Sequence, residues 1–327
     1  MNGVVPGRPR GPIVLRAALD PKPWGGWALA RFGFDLPPDT AIGEAHLTGA
    51  LATVRDGIFA RRTLGDLMAI DPGWLAGARG IAATGGRPLF PLLIKLIDAR
   101  DVLSVQVHPD DDAARATGGV GKTEAWHVLA SEPDSLLYVG LADPAAFPEL
   151  VRRAHAGERT GDLLRTFHPE PGDTLLIPAG TIHAIGAGLL IYEIQQPSGI
   201  TYRFDDWGRV GGDGRPRELH IEQSLAVTKP DLQPTPIPAV ERAPGRSLLV
   251  THRYFSLELI VLEPGESMLI EHPGSPAAIT LIEGNGDIEA AGVTATPAAG
   301  ETAIIPPGDL PATLRAGTRT IALHGWV

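Results

Sequence analysis

Polar and apolar residues alternate over residues 102–109, and this alternation predicts a β-strand. Ser104, Gln106 and His108 share one face of the strand, whereas the residues between them are apolar. Residues two apart on a strand are separated by roughly 6.6 Å, so their side chains can lean onto one ligand. We therefore expect this polar face to carry chemistry.

A second strand is predicted over residues 121–126, where Lys122, Glu124 and Trp126 point the same way. A third segment contributes a histidine at a fixed spacing: from Gly172, five residues lead to Pro178 and four more lead to His183. This spacing resembles the second motif of the cupin superfamily. Two histidines, a carboxylate and an amide are thereby predicted to converge.

The predicted donor set suits a metal ion, and its members are Gln106, His108, Glu124 and His183. Zinc accepts imidazole nitrogen and carboxylate oxygen, and a catalytic zinc site keeps one position for water or substrate. The chain has no cysteine, which excludes thiolate ligands and disulfides. Each of the four could instead be an ordinary polar residue at a strand end. Their grouping favours one zinc ion per chain.

Three more side chains stand out in neighbouring predicted strands. Lys95 ends an apolar run, Glu193 lies in an alternating strand, and Arg203 shares a strand face with Asp205. Lys95 could instead be an edge-strand lysine that discourages aggregation, and Arg203 could pair with Asp205 at a barrel rim. The formal net charge is −10, so an anionic ligand would need local cations such as Lys95, Lys122 and Arg203.

Short apolar stretches separated by turn residues predict a mainly β protein. The chain has 40 glycines and 31 prolines in 327 residues, which favours a turn-dense sheet fold over a helix bundle or a doubly wound fold. We expect few helices: residues 63–69, 144–156 and 218–227, and a short capped helix that starts near Asp110.

A proline-rich stretch at residues 229–238 predicts a domain boundary. We place a metal-bearing jelly-roll β-barrel with a few helices at residues 1–235 and a smaller β-barrel at residues 236–327. The second domain repeats the glycine–proline spacing from Gly300 to Pro306, but Pro311 stands where a histidine is expected. We therefore expect a metal-free C-terminal domain of the cupin type.

Composition excludes several classes of partner. The chain has 28 basic against 38 acidic residues and no basic cluster, which argues against nucleic acid. Apolar runs fall short of the roughly 18 residues of a membrane span, and Gly and Pro interrupt residues 1–16 where a secretory signal would lie. We expect a soluble, cytoplasmic protein that is a monomer or a weak homo-oligomer.

Short motifs over residues 21–230 extend the pattern. They are Pro21-Lys22-Pro23-Trp24-Gly25-Gly26, Ile42-Gly43-Glu44, Gln106-Val107-His108-Pro109, Gly121-Lys122-Thr123-Glu124-Ala125-Trp126, Pro178-Ala179-Gly180-Thr181-Ile182-His183 and Thr201-Tyr202-Arg203. Together they resemble type I mannose-6-phosphate isomerase in its short bacterial form. One departure is His46, where relatives usually carry tryptophan.

The resemblance implies a zinc-dependent enzyme that interconverts mannose 6-phosphate and fructose 6-phosphate through an enediol. It implies catalytic roles for Arg203 and Lys122 and substrate contacts for Lys95 and Glu193. An aldose–ketose isomerase needs a base and a cation that stabilises negative charge on oxygen. Which residue takes the C2 proton stays open.

Two other functions remain open on the residues alone. The first is a cupin oxygenase, in which His108, Glu124 and His183 would hold iron as two histidines and a carboxylate. Gln106 and Lys122 fit that function less well. The second is a non-catalytic sugar-binding cupin, for which Lys122 and Arg203 would be dispensable.

Overall fold

Strands dominate the chain, which confirms the expected mainly β fold. The structure is a computed structural model that describes residues 8–210, 214–272 and 274–327. The strands in these residues are β1 (Ile13–Arg16), β2 (Ala18–Gly26), β3 (Ile42–His46), β4 (Thr53–Val54), β5 (Leu93–Ala99), β6 (Val105–Val107), β7 (Glu124–Ser131), β8 (Leu137–Leu141), β9 (Leu164–Phe167), β10 (Thr174–Ile177), β11 (His183–Ile185), β12 (Leu189–Gln195), β13 (Tyr202–Asp205), β14 (Val240–Ala243), β15 (Arg246–Thr251), β16 (Ser256–Leu262), β17 (Ser267–Ile270), β18 (Ala277–Glu283), β19 (Gly286–Ala290), β20 (Val293–Ala295), β21 (Thr302–Ile305), β22 (Ala312–Ala316) and β23 (Thr320–Trp326). The α-helices are α1 (Leu64–Ile70), α2 (Pro72–Ala83), α3 (Asp111–Arg115), α4 (Phe147–Ala156) and α5 (Ile221–Val227).

The chain forms two compact units. The first, here called the central unit, consists of residues 19–45 and 93–239. The second, the terminal unit, contains residues 8–18, 46–92 and 240–327. The boundary expected near residue 235 therefore lies close to the last crossing between units. The sequence division did not anticipate that two N-terminal segments belong with the C-terminal barrel.

Two antiparallel sheets build the central unit. The order of one is β10-β7-β12-β5-β3-β2, and the order of the other is β13-β6-β11-β8-β9. Apolar side chains from these strands form two buried clusters. One cluster includes Trp126, Val139 and Ile191, and the other includes Val105, Ala184 and Phe204. This is the arrangement that alternating polar and apolar strand residues produce, since one face of each sheet is withdrawn from water.

Strand register aligns polar residues that are far apart in the sequence. In the six-stranded sheet Lys95 lies opposite Glu193, which lies opposite Trp126. In the five-stranded sheet Gln106 lies between Arg203 and His183. Residues directly opposite on antiparallel strands project to the same face, so each sheet presents one row of candidate site residues.

The terminal unit also consists of two sheets. Their orders are β14-β15-β16-β23-β18-β21-β1-β4 and β17-β22-β19-β20. A buried apolar cluster that includes Ile260, Ile279 and Leu314 forms their core. β1 pairs with both β21 and β4, so an N-terminal strand is built into the same sheet as the C-terminal strands.

Two of the predicted helices begin at side-chain caps. Thr63 and Asp66 form a capping box at α1, and the Asp110 side chain accepts from Ala113 N at the start of α3. The sequence analysis missed α2, whose glycines weaken helix propensity and whose Gly77 has a φ of 66° inside the helix. Among the described residues, none of these helices has the length and apolar character needed to cross a bilayer.

Candidate functional site

The two predicted histidine ligands are buried and oriented by the backbone. His108 Nδ1 lies 2.9 Å from the carbonyl oxygen of Ile200, and His183 Nδ1 lies 2.9 Å from that of Thr181. Because Nδ1–H donates to a carbonyl in each ring, Nε2 retains the lone pair. Burial lowers the pKa of His108 well below its usual range and that of His183 to about 4, so both rings are neutral at pH 7.

Glu124 joins the two histidines at the first residue of β7. Its Oε2 is 3.5 Å from His108 Nε2, and its Oε1 is 3.3 Å from His183 Nε2. Both carboxylate oxygens are buried and lack a hydrogen bond of good geometry within the described structure. Burial raises the pKa of Glu124, and Lys122 only partly offsets this effect. A buried carboxylate between two imidazole nitrogens is the arrangement expected of a divalent metal site.

Gln106 completes the donor set. Its Nε2 lies 3.3 Å from His183 Nε2, and its Oε1 is 3.3 Å from Ser104 Oγ. A half-turn of the amide exchanges nitrogen and oxygen, so Oε1 can face the histidine instead. The structure thus brings together all four predicted ligands, and their chemistry fits a metal ion held by nitrogen and oxygen.

Lys122 contacts two of the four. Its Nζ lies 2.9 Å from His108 Nε2 and 2.8 Å from Glu124 Oε2, and the side chain is buried. The ammonium therefore supplies positive charge to the donor set. Lys122 also lines the adjoining cavity, which makes it a link between the donor set and any ligand bound there.

Lys95 and Glu193 form a buried network beside the donor set. Lys95 Nζ lies 3.3 Å from Glu193 Oε1 and 3.5 Å from Glu44 Oε2, while Trp126 Nε1 donates to Glu193 Oε2 at 3.1 Å. Burial alone would lower the pKa of Lys95, but the carboxylates of Glu193 and Glu44 raise it above its ordinary value. Lys95 is therefore a fixed buried cation rather than an edge-strand lysine.

A cavity of about 120 Å³ adjoins these residues. Side chains with formal charge line it, and these are Lys22, Lys95, Lys122, Arg203, Arg217, Glu44 and Glu193. Cations exceed carboxylates by three in this cavity, although the whole chain has a net charge of −10. A larger cavity, of about 390 Å³, is lined by other residues such as Trp27 and Arg100 and contains none of the predicted site residues.

Arg203 faces the cavity and not Asp205. Its Nη1 donates to the carbonyl oxygen of Glu218 at 2.8 Å, while its Nε is buried without a partner in the described structure. Asp205 instead accepts from the backbone N–H groups of Thr160 and Trp207. Arg203 and Asp205 thus have different partners, and the described part of the chain contains no rim ion pair between them.

Three of the charged lining residues had no role predicted from the sequence. Lys22 and Glu44 lie on β2 and β3, within the motifs at residues 21–26 and 42–44, and their place in those motifs was the available signal. Arg217 lies outside the strands and helices and is paired with Asp206, and no local pattern pointed to it. Lys22 and Glu44 reach the cavity because of the order of the strands in the sheet, and Arg217 reaches it from a loop. The alternation of polar and apolar residues predicts neither feature.

Comparisons with known proteins match the chain to one enzyme family. Residues 14–134 match the family model described as phosphomannose isomerase type I, catalytic domain. GmuF of Bacillus subtilis (strain 168), named as a probable mannose-6-phosphate isomerase, is 36% identical over 257 residues, which cover 75% of this chain and 78% of that protein. The mannose-6-phosphate isomerase of Streptococcus mutans is 38% identical over 223 residues, or 66% of this chain and 67% of the relative.

The crystal structure of a mannose 6-phosphate isomerase from Bacillus subtilis superposes with a TM-score of 0.83 at 29% identity. The match covers 97% of this chain and all of the other, so the likeness includes both β units. The jelly-roll fold predicted from the sequence is the fold of that enzyme family.

Proposed function

The chain belongs to the type I phosphomannose isomerase family, and on that basis we propose that it interconverts mannose 6-phosphate and fructose 6-phosphate with the help of one zinc ion. The observation that carries this proposal is the cation-rich cavity beside the buried His–Glu–His donor set. A local excess of cations in a protein with a net negative charge favours binding of an anion, and a hexose phosphate is such an anion.

The zinc ion would be held by Gln106, His108, Glu124 and His183. When bound, it would supply Lewis-acid stabilisation of negative charge on a sugar oxygen. The ring orientation set by Ile200 O and Thr181 O keeps both Nε2 atoms in place for this task without a reorganisation of the backbone.

Arg203 acts on the substrate in this proposal. Its Nη1 is anchored to the carbonyl oxygen of Glu218, and its unpartnered Nε can donate to a phosphate or enediolate oxygen. Lys122, which contacts both His108 and Glu124, adds a second positive charge next to the reacting carbons. Together they would favour the enediol form, because negative charge develops on oxygen as the proton leaves C2.

Lys95 and Glu193 position the sugar. Lys95 is held between two carboxylates, which fixes its charge at the cavity wall. Glu193 is anchored by Trp126, and its Oε1 has no hydrogen bond of good geometry in the described structure, so it can accept from a sugar hydroxyl. An open-chain hexose phosphate would thereby be oriented before proton transfer.

A coupled assay tests this function. The purified chain should convert mannose 6-phosphate to fructose 6-phosphate, lose this activity on dialysis against a chelator and regain it when zinc is added, because the donor set needs a cation. An oxygen electrode in the same cuvette should record no uptake, as an isomerase consumes no oxygen. Absence of turnover by zinc-loaded protein, or turnover that survives complete metal removal, would contradict the proposal.

A further inference from the structure

A second group of metal-ligating side chains lies in the terminal unit, and its members are Glu258, His272 and His324. Each offers one ligand atom, and the three atoms lie within 4.8 Å of one another. Glu258 on β16 is directly opposite His324 on β23, so both project to the same face of the eight-stranded sheet. That is the face of Ile260 and Leu262, which belong to the buried apolar core.

The imidazole rings of His272 and His324 each have a ring nitrogen without a hydrogen bond in the described structure. His324 Nδ1 lies 3.3 Å from Glu258 Oε2, which leaves Nε2 as the other ring nitrogen. The Nε2 atoms of His272 and His324 are both buried and have no hydrogen-bond partner in the described part of the chain. An unpaired polar atom in an apolar interior is costly, and a bound cation would remove that cost for both rings at once.

A tryptophan holds the two rings in place. Trp326 stacks on His272 with centroids 4.0 Å apart and on His324 with centroids 4.9 Å apart. Two flat contacts on one indole restrict the orientations of both imidazoles, whose planes lie at 35° to each other. The nitrogen atoms are therefore arranged before any ligand arrives, which lowers the entropic cost of binding.

We propose that the terminal unit binds a second divalent transition-metal ion through His272, His324 and Glu258. Two imidazoles and one carboxylate favour zinc or a neighbouring first-row ion over calcium or magnesium. This site is separate from the proposed zinc site and does not depend on the proposed reaction. It departs from the expectation of a metal-free C-terminal domain, which rested on Pro311.

The test is a cobalt titration of the full chain after removal of metal, followed by visible absorption and elemental analysis. The wild-type protein should bind two equivalents, and the double variant His108→Ala/His183→Ala should bind one. In that double variant, His272→Ala should weaken the remaining affinity by at least about 100-fold, because it removes a ligand rather than an outer contact. His272 is partly exposed in a loop, so this substitution should leave the fold intact.

His252→Ala is the matched control. His252 is also half-buried, packs against Tyr254 and Phe255, and has a buried Nδ1 without a partner in the described structure, but no carboxylate group joins it in a metal-ligating cluster there. Its loss should leave cobalt affinity unchanged. The isosteric Glu258→Gln should repeat the effect of His272→Ala. Absence of bound cobalt in the His108→Ala/His183→Ala variant, or equal affinities for His272→Ala and His252→Ala in that background, would overturn the proposal.

Discussion

The central and terminal units each contain a group of two histidines and one glutamate, and the two groups differ in how their nitrogens and charges are held. We call His108, Glu124 and His183 the central group, and Glu258, His272 and His324 the terminal group. In the central group both Nδ1 atoms donate to backbone carbonyls. In the terminal group His324 Nδ1 contacts the glutamate itself.

The neighbouring cation is the second difference. Lys122 Nζ approaches Glu124 Oε2 at 2.8 Å without a hydrogen bond of good geometry. Arg246 places Nε and Nη2 at 2.9 Å and 2.8 Å from Glu258 Oε2, so two donors hold one oxygen. A lysine is a flexible point charge, whereas an arginine fork fixes its partner. The same donor types should therefore bind metal more tightly in the central group.

The largest expected effect comes from His183→Ala. This change removes a central ligand, and we expect turnover to fall by roughly 1,000-fold or more, because a metal ion contributes several kcal/mol to catalysis. Gln106→Ala is the milder comparison, since an amide oxygen is a neutral, weaker donor. Steady-state kinetics with metal analysis would measure both. If His183→Ala kept its metal and its rate, the assignment of the central group as the catalytic metal site would fail.

Arg203→Ala should have the next largest effect. We expect turnover to fall by about 100- to 1,000-fold with metal content and thermal stability retained, because the substitution removes a preorganised donor from the cavity. Arg203→Lys should restore only part of the rate, since a point charge cannot reproduce the fork. A loss of activity that simply tracked loss of metal or fold would show that Arg203 supports structure and not turnover.

The smallest effect tests the difference in neighbouring cations directly. Arg246→Gln frees Glu258 Oε2 from a charged donor and should tighten cobalt binding by the terminal group by roughly 10- to 150-fold, since such contacts are worth about 1.5–3 kcal/mol. The measurement is a cobalt titration in the His108→Ala/His183→Ala background. Arg242→Gln, at an exposed position on the adjacent β14, is the control and should change nothing. Weaker binding by Arg246→Gln would mean that the arginine supports the group instead of competing with it.

Alternation predicts which side chains share a face where that face depends only on their own strand. Alternation within residues 102–109 placed Gln106 and His108 on one face, and the structure brings both against Glu124 and His183. Strand bounds were less accurate, since β6 covers only Val105–Val107 and Lys122 precedes β7. A side chain at a strand end reaches the site if it lies on the correct face of the strand. Errors of a few residues in the strand bounds therefore did not change which side chains were expected to meet.

The features that were missed depend on pairing between distant strands. Glu258 and His324 are 66 residues apart and meet only because β16 and β23 are neighbours. The expectation of a metal-free C-terminal domain rested on Pro311, and the glycine–proline spacing before it does not show which distant strands pair. In the same way, Glu44 reaches Lys95 through the order of β5 and β3, which no local pattern encodes.

The position of β1 constrains how such a protein can be divided. The chain passes between the two units four times, and β1 fills a place in the terminal sheet between β21 and β4. A cut after residue 239 would leave β1 with an unpaired edge, and open sheet edges promote aggregation. A single recombination point in the gene therefore cannot separate the two units. A recombinant that swapped the C-terminal barrel would have to bring a compatible first strand from the opposite end of the gene.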